Sequence, residues 1–543
     1  MPRSVRTART RISTTLQPPR PTVRCPSLTV HGIALTFPRT LLAVSKFWSI
    51  SPLVEGEVMP GQVTPPRLQL WGGMPMLFVP FLVMLAGILV LGFKGLALPE
   101  AFWPMVLAGL FVGLLLAKSR QAYVDALIQG IASPMLAVIL LAWFLAGVFG
   151  KLLNETGVID GLVWVAAAIG LSAAWVPLLA FVATAILSIS TGTSIGTILA
   201  VTPILFPAGF SIGADPLFLV GAILGGAFIG DNLAPVSDTT IVSAYSQGVD
   251  VPTAVRSRLK YAAVAAVVTL AGYVAVGLFG PAGESRGGVE ATPGGLIMLL
   301  APLLLMVLMI LRWHFVSALL VSTAFGLVLG LATGLLGWGD VLTVDGETFT
   351  ASGVIVDGMM GFVGIAVFTI FLMGMIGTFQ AGGLIDWLVE KSQRIAKGPR
   401  SAEVTMYGLA LGINVLTTAG TPTMVMLGPY VRRLGNSFKI APWRRGNLLD
   451  AASTTILGFV PYSVAVLIPF ALAADTVKDA NLQNFDPVHL VPYVVYCWAL
   501  MLVFWVAVLT GWGRDRMTDE AYDEERKILA DEADDSVTAE ERG

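Results

Sequence analysis

The stretch Gly230-Asp-Asn-Leu-Ala-Pro-Val-Ser-Asp-Thr-Thr240 places two carboxylates inside apolar sequence, and the run before it, residues 216–229, carries no charge. A carboxylate at the middle of a bilayer costs roughly 2.5–3.5 kcal/mol, so residues of this kind mark an ion or proton pathway. Asp231 and Asp238 are therefore the first candidates for the working part of the protein. Their surroundings decide the fold class. Of 543 residues, 55% are hydrophobic and 13% charged, against about 25% charged in soluble domains. Repeated apolar runs near spanning length predict an all-α polytopic membrane protein of about 12–14 spans without a large soluble domain.

Composition removes several function classes. Two cysteines, Cys25 and Cys497, supply neither a disulfide framework nor a thiolate metal site, and His31, His314 and His489 are scattered. No His falls in a polar motif, which argues against an intramembrane Ser–His protease, and two Asp residues seven apart in one segment do not resemble an Asp–Asp protease pair. The protein is read as a transporter and not an enzyme. No cofactor is expected; the expected partners are membrane lipid and the transported ions, not nucleic acid, and homodimer formation stays open.

Residues 1–54 hold eight Arg or Lys and no acid, the composition of a disordered arm. The arm is either transit-peptide-like or upstream sequence ahead of a start at Met59 or Met74, the latter being preferred. Residues 514–543 hold 12 acidic and 5 basic residues and are expected to form a solvated, frayed helix. The resulting domain reading is a basic arm over 1–70, a first membrane repeat over 71–285, a second over 286–512 and an acidic cytoplasmic tail over 513–543.

The two membrane repeats match at a constant offset of 226. Gly157-Val-Ile-Asp-Gly-Leu-Val163 recurs as Gly383-Leu-Ile-Asp-Trp-Leu-Val389, and the same shift carries Thr191 onto Thr417, Thr197 onto Thr423, Pro235 onto Pro461 and Ser237 onto Ser463. A register held over this length is the mark of duplication. Loop charges then reverse between the copies. Loop 118–130 has Lys118 and Arg120 while 338–357 has four acids and no base; 249–260 has Arg256, Arg258 and Lys260 while 475–487 is net acidic. Conversely, 206–216 has no base but 432–445 has five, and 151–160 has one Lys where 390–400 has four bases. By the positive-inside rule every matched loop changes side. The repeats are expected to be inverted, seven crossings each, with both termini cytoplasmic and the chain in the cell inner (plasma) membrane. Inverted repeats with broken helices and hairpins are a secondary-transporter architecture, with the site at the repeat interface.

Four stretches combine Gly or Pro with hydroxyls: Ser190–Thr197, Asp231–Thr240, Thr417–Thr423 and Ser453–Ser463. Pro removes a backbone donor and Gly loosens the helix, and free polar backbone at membrane depth is tolerated where it lines a cavity or is buried in protein. Oxygen-rich segments of this kind suit a small hard cation. Blander readings stand beside this one. Gly192-x3-Gly196 and Gly226-x3-Gly230 serve tight packing as readily as substrate contact, and isolated Ser or Thr bond back to their own helix. A surface turn would explain Asp231 and Asp238, but the apolar stretch before them is short for a complete span. Asp160 and Asp386 are read as interfacial charges. Asp450 is either a helix-start carboxylate or a site ligand, and Asn232 either binds a cation or stabilises the break. The Arg residues of the core are placed near cytoplasmic ends.

The 230–240 string resembles the signature of NhaC-type sodium/proton antiporters in the ion transporter superfamily. Thr191-Gly-Thr-Ser-Ile-Gly-Thr197 is similar to that family's Thr-Gly-Thr-Ser segment, and Asn447–Asp450 through Val460-Pro-Tyr-Ser463 is similar to its second hairpin. Departures are Asn232 where many members carry Lys, Ala234 where Ser is usual, and Asp450 where Glu is usual. The resemblance implies exchange of Na+ (or Li+) for H+, with Asp231 and Asp238 as cation ligands that alternately take protons. Asn232, Thr191, Thr193, Ser194, Ser237 and Thr239 would complete the shell, faced by Thr417, Thr421, Asp450, Thr454 and Ser463 from the second repeat. Some relatives exchange organic acids or amino acids, so a Na+- or H+-coupled exchanger of such solutes is the alternative.

Overall fold

The computed structural model describes residues 68–96, 100–280, 292–346, 349–478, 480, 482 and 485–529. The basic arm up to residue 67 and the end of the acidic tail from residue 530 lie outside the described residues. The first half consists of α1 (Phe78–Phe93), α2 (Phe102–Leu116), α3 (Arg120–Ile131), α4 (Pro134–Glu155), α5 (Val158–Ala168), α6 (Val176–Thr191), α7 (Ser194–Ile212), α8 (Pro216–Leu233), α9 (Asp238–Tyr245) and α10 (Val251–Phe279). The second half begins with α11 (Leu300–Ile310), α12 (Phe315–Thr333) and the short α13 (Trp338–Val341). A small exposed hairpin of β1 (Thr343–Asp345) and β2 (Thr350–Ser352) follows. Then come α14 (Val354–Met360), α15 (Val363–Gly382), α16 (Leu384–Gln393), α17 (Pro399–Thr417), α18 (Gly420–Ser437), α19 (Pro442–Leu457), α20 (Val464–Val477) and α21 (Val495–Thr510).

Among the described residues, nine helical segments are long and apolar enough to cross a membrane; α2, α5, α20 and α21 are shorter apolar helices. This is a multi-pass membrane protein. The more polar α17, α18 and α19, where the sequence predicted crossings, fall in neither group.

Local chemistry sets the helix starts. Asp215 caps α8 by accepting from the N–H groups of Leu217 and Phe218 (both 3.0 Å), with Pro216 in the first turn, where its missing N–H is no loss. Asp250 caps α10 through Thr253 N (3.0 Å). The segment Pro216–Tyr245, which contains α8 and α9, is the molecular centre: 89% of its apolar window is buried, against 22% for α10. Small residues allow this crowding. A Cβ built on Gly226 would lie 2.5 Å from the Phe181 carbonyl oxygen, and one on Gly230 would collide with Ser188. For Gly226 and Gly230, then, the close-packing reading holds.

α6 and α7 form a hairpin with its tip at Gly192, and α17 and α18 one with its tip at Thr418. Both tip residues are left-handed (φ 73° and 50°) and are 226 apart. The offset reappears in the contacts. Thr191 Oγ1 meets Thr197 Oγ1 at 3.1 Å, and Thr417 Oγ1 meets Thr423 Oγ1 at 2.8 Å. Ser188 Oγ donates to Ala227 O (2.6 Å), and at the matched positions Asn414 Nδ2 donates to Ser453 Oγ (3.0 Å). Gly157 and Gly383 begin α5 and α16 with φ of 74° and 71°.

One expectation is corrected at the C-terminal end. The start of the acidic tail is not a free solvated helix but packs on loop 432–445. Ala441 N donates to Asp515 O (3.0 Å), Met517 N to Lys439 O (2.9 Å) and Trp443 Nε1 to Asp515 Oδ2 (2.9 Å). Within the helical stretch 519–529, Glu525 is buried and accepts from Arg445 Nη2 (2.8 Å), Asn436 Nδ2 (2.8 Å) and Arg432 Nε (3.1 Å). The tail is held because Arg445 is fully buried there and needs a counter-charge.

Candidate functional site: the interruption between α8 and α9

The interruption follows from Pro235. In a continuous helix the Asp231 carbonyl would accept from the N–H of residue 235, and proline has none. The last helical bond here is Ala234 N to Gly230 O (2.8 Å). The orphaned Asp231 carbonyl is taken instead by two hydroxyls from the next helix, Thr239 Oγ1 (3.0 Å) and Thr240 Oγ1 (2.8 Å). The neighbouring Asn232 carbonyl accepts from Arg258 Nη1 (3.0 Å).

This geometry holds the Asp231 side chain, 6% exposed, against the first hairpin tip. Its Oδ1 accepts from the backbone N–H of Ser194 (3.1 Å) at the start of α7 and from Ser237 Oγ (3.4 Å), which also contacts Thr239 Oγ1 (2.9 Å). A helix N-terminus directed at a carboxylate is electrostatically favourable to its negative charge. Asn232 is fully buried; its Nδ2 donates back to Phe228 O (2.8 Å) and its Oδ1 accepts from Thr454 Oγ1 (3.2 Å), so it ties the break to α19. Thr454 also bonds back to Asp450 O (2.9 Å).

Asp238 differs from the expectation of two buried acids. It is exposed, at the first position of α9, and its Oδ2 accepts from Thr421 Oγ1 (2.6 Å) on the second hairpin. Ser237, Thr239 and Thr240 on either side are buried, so Asp238 sits on the exposed face of α9 while its neighbours turn toward Asp231. The two acids therefore occupy different settings, one enclosed and one accessible.

Of the remaining predicted residues, Asp450 is fully buried and lies 2.9 Å from Arg258. Thr191 and Thr417 contact their own hairpins, and Thr193 caps α7 by accepting from Gly196 N (3.3 Å). Ser463 donates to Leu457 O (2.7 Å) and caps α20 by accepting from Val466 N (3.3 Å). The structure thus brings together Asp231, Asn232, Ser194, Ser237, Thr239, Asp450 and Thr454, with Asp238 and Thr421 at the edge; Thr191, Thr193, Thr417 and Ser463 serve their own helices.

Arg258, Thr240, Ser243 and Asn447 were not among the sequence candidates. By sequence Arg258 reads as a loop base near a cytoplasmic end, but it has no exposed surface. A signal was present: from the Asp250 cap, Ala254, Arg258, Tyr261, Ala265 and Thr269 share one helical stripe, and all are buried. Among the described residues no three His, Cys, Asp or Glu side chains cluster as metal ligands. A cation here would draw on carboxylate and hydroxyl oxygens together, which suits a weakly held alkali ion. A cavity of about 700 Å³ lined by Gln380, Asp386, Tyr430 and Arg433 lies elsewhere, between α16 and α18.

A polytopic helical bundle with interrupted helices, and a carboxylate enclosed at one interruption, has the construction of a secondary transporter. The chain belongs to the Na+/H+ antiporter family, whose family model matches residues 66–278 and 292–512. It is 23% identical over 363 residues to the Na+/H+ antiporter NhaC of Alkalihalophilus pseudofirmus, covering 63% of this chain and 77% of that one. It is 30% identical over 176 residues to the malate-2H+/Na+-lactate antiporter of Bacillus subtilis, covering 31% and 35%. Among solved structures, the YdaH transporter of Alcanivorax borkumensis aligns over 80% of this chain and 99% of that one at 13% identity, with a TM-score of 0.38, too slight a likeness to carry topology across.

Proposed function

We propose that the protein exchanges Na+ (or Li+) for H+ across the membrane, the two competing for Asp231. The observation that carries this reading is the enclosed Asp231 carboxylate, met by Ser194 N and Ser237 Oγ at a proline-made gap. A proton on the carboxylate removes the charge that a cation needs, so the two loads exclude one another. Asp238 and Thr421, at the accessible edge, receive the cation and pass it inward. Alternating access would come from motion of one half against the other.

Inverted repeats are part of the proposal. Loop contacts support them: loop 432–445 meets α10 near its start and the chain after α21, through Arg444 Nη1 to Tyr261 OH (2.8 Å) and Tyr261 OH to Trp512 O (3.3 Å). Loop 151–160 instead meets loop 475–487 through Lys151 and Asp475 (3.5 Å). The matched stretches at the start of α10 and at 475–487, 226 residues apart, thus fall in opposite groups. By its charge we read the basic group as cytoplasmic, with the C-terminal segment and the N-terminus on that side of the cell inner membrane.

Asp231→Asn in proteoliposomes tests the reading: Na+-driven proton movement should vanish, and retained exchange would refute it. The second reading, Na+- or H+-coupled exchange of small organic acids or amino acids, draws support from the Bacillus subtilis relative. Malate or lactate stimulation of Na+ flux in the same vesicles would favour it.

A further inference from the structure

Arg258, near the start of α10, reaches three other helices at once. Its Nε donates to Asn447 Oδ1 (3.2 Å) on α19, Nη1 to Asn232 O (3.0 Å) on α8 and Thr240 Oγ1 (3.1 Å) on α9, and Nη2 to Ser243 Oγ (3.0 Å) on α9. Thr240 in turn donates to the Asp231 carbonyl (2.8 Å), so one side chain lies between Arg258 and the main chain of the site acid. Asp450 Oδ2 lies 2.9 Å from Arg258 Nη1, and neither side chain has exposed surface. Neither Asp450 oxygen meets a well-directed hydrogen-bond donor, so what Arg258 gives Asp450 is chiefly charge. The planar guanidinium fork allows several helices to be joined at fixed angles in a way a lysine would not.

We propose that Arg258 is a positioning residue for ion exchange and that Asp450 is its resident counter-ion, not a carrier. Together they fix the end of α8 against α9 and α19, leaving Asp231 to exchange the proton for the cation. This rests on the exchange reading above. Removing one member of a buried ion pair leaves an uncompensated charge, whereas removing both leaves a neutral site. Every guanidinium nitrogen is already engaged, so an organic carboxylate would have to displace Asp450 to use it.

The test uses the full-length chain in proteoliposomes, with Na+-driven proton movement followed by a pH-sensitive dye. Arg258→Gln and Asp450→Asn are each expected to lower the maximal rate by more than about tenfold, and the double variant to recover to within about threefold of the wild type. Because Asn232 O and Thr240 lose their donor, the double variant's apparent KM for Na+ should rise about threefold. Arg258→Lys, which keeps the charge and loses the fork, should keep the rate and also raise KM. A monodisperse double variant as inactive as Asp450→Asn would overturn the proposal by making Asp450 a carrier. Unchanged KM in Arg258→Lys would overturn the positioning role, and this variant decides the matter if the double variant does not fold. Asp231→Asn is run alongside: if it exchanges like the wild type, or if the wild type does not exchange, the exchange reading itself has failed.

Discussion

At both helix interruptions a proline removes the donor that the carbonyl four residues earlier would accept, Pro235 for Asp231 and Pro461 for Leu457. In both, a hydroxyl from the following segment takes the orphaned carbonyl: Thr239 and Thr240 in the first, Ser463 in the second. The matched serines then diverge. Ser463 caps α20, whereas Ser237 makes no cap and contacts the Asp231 carboxylate. The acid's own counterpart is Leu457. The two gaps share one construction, but where the first has Asp231, Asp238, Thr239 and Thr240 the second has Leu457, Val464, Ala465 and Val466, so one holds charge and the other closes on itself.

The largest expected effect breaks that comparison most directly. Asp231→Asn should reduce exchange by at least about a hundredfold, while Leu457→Asn should leave the KM for Na+ unchanged; equal losses at the two positions would mean that the gaps are not functionally distinct. Pro235→Ala, which restores a backbone donor, should lower the rate about tenfold by letting α8 run on, against about twofold or less for Pro461→Ala, as read in vesicle assays. Asp238→Asn should raise the apparent KM about fivefold with the maximal rate largely kept, as fits an accessible acid; complete loss would move it into the carrier role beside Asp231. Smallest and sharpest is the serine pair. Ser237→Ala should raise KM about threefold with little change in melting temperature, whereas Ser463→Ala should cost about 1 kcal/mol of stability, the usual cost of a lost cap, with KM unchanged.

Much of this was legible in the sequence. The break at Pro235, the helix boundaries around it and the 226-residue register are local properties of the chain, set by donor removal, apolar runs and duplication. What the sequence could not fix was orientation. Asp231 and Asp238 both read as buried because they share one short apolar context, but Asp238 falls on the one face of α9 that is exposed. Arg258 read as a loop base because it sits between Arg256 and Lys260, although its helical stripe is the buried one. Thr193 and Ser463 read as ligands because a capping hydroxyl and a binding hydroxyl look alike until their partners are seen. Glu525 lay in a run of acids, and its selection by Arg445 depends on a contact across 80 residues.

That last contact has a practical consequence. Arg432 and Arg445 converge on Glu525. A protease that trimmed the chain after Thr510 would remove this carboxylate, along with Asp515 and Asp519, from the basic edge of α18 and α19. Arg445 would be left enclosed with no opposite charge among its described contacts, and the end of α18 and the start of α19, the helices that carry Thr421 and Asp450 further along, would lose their brace.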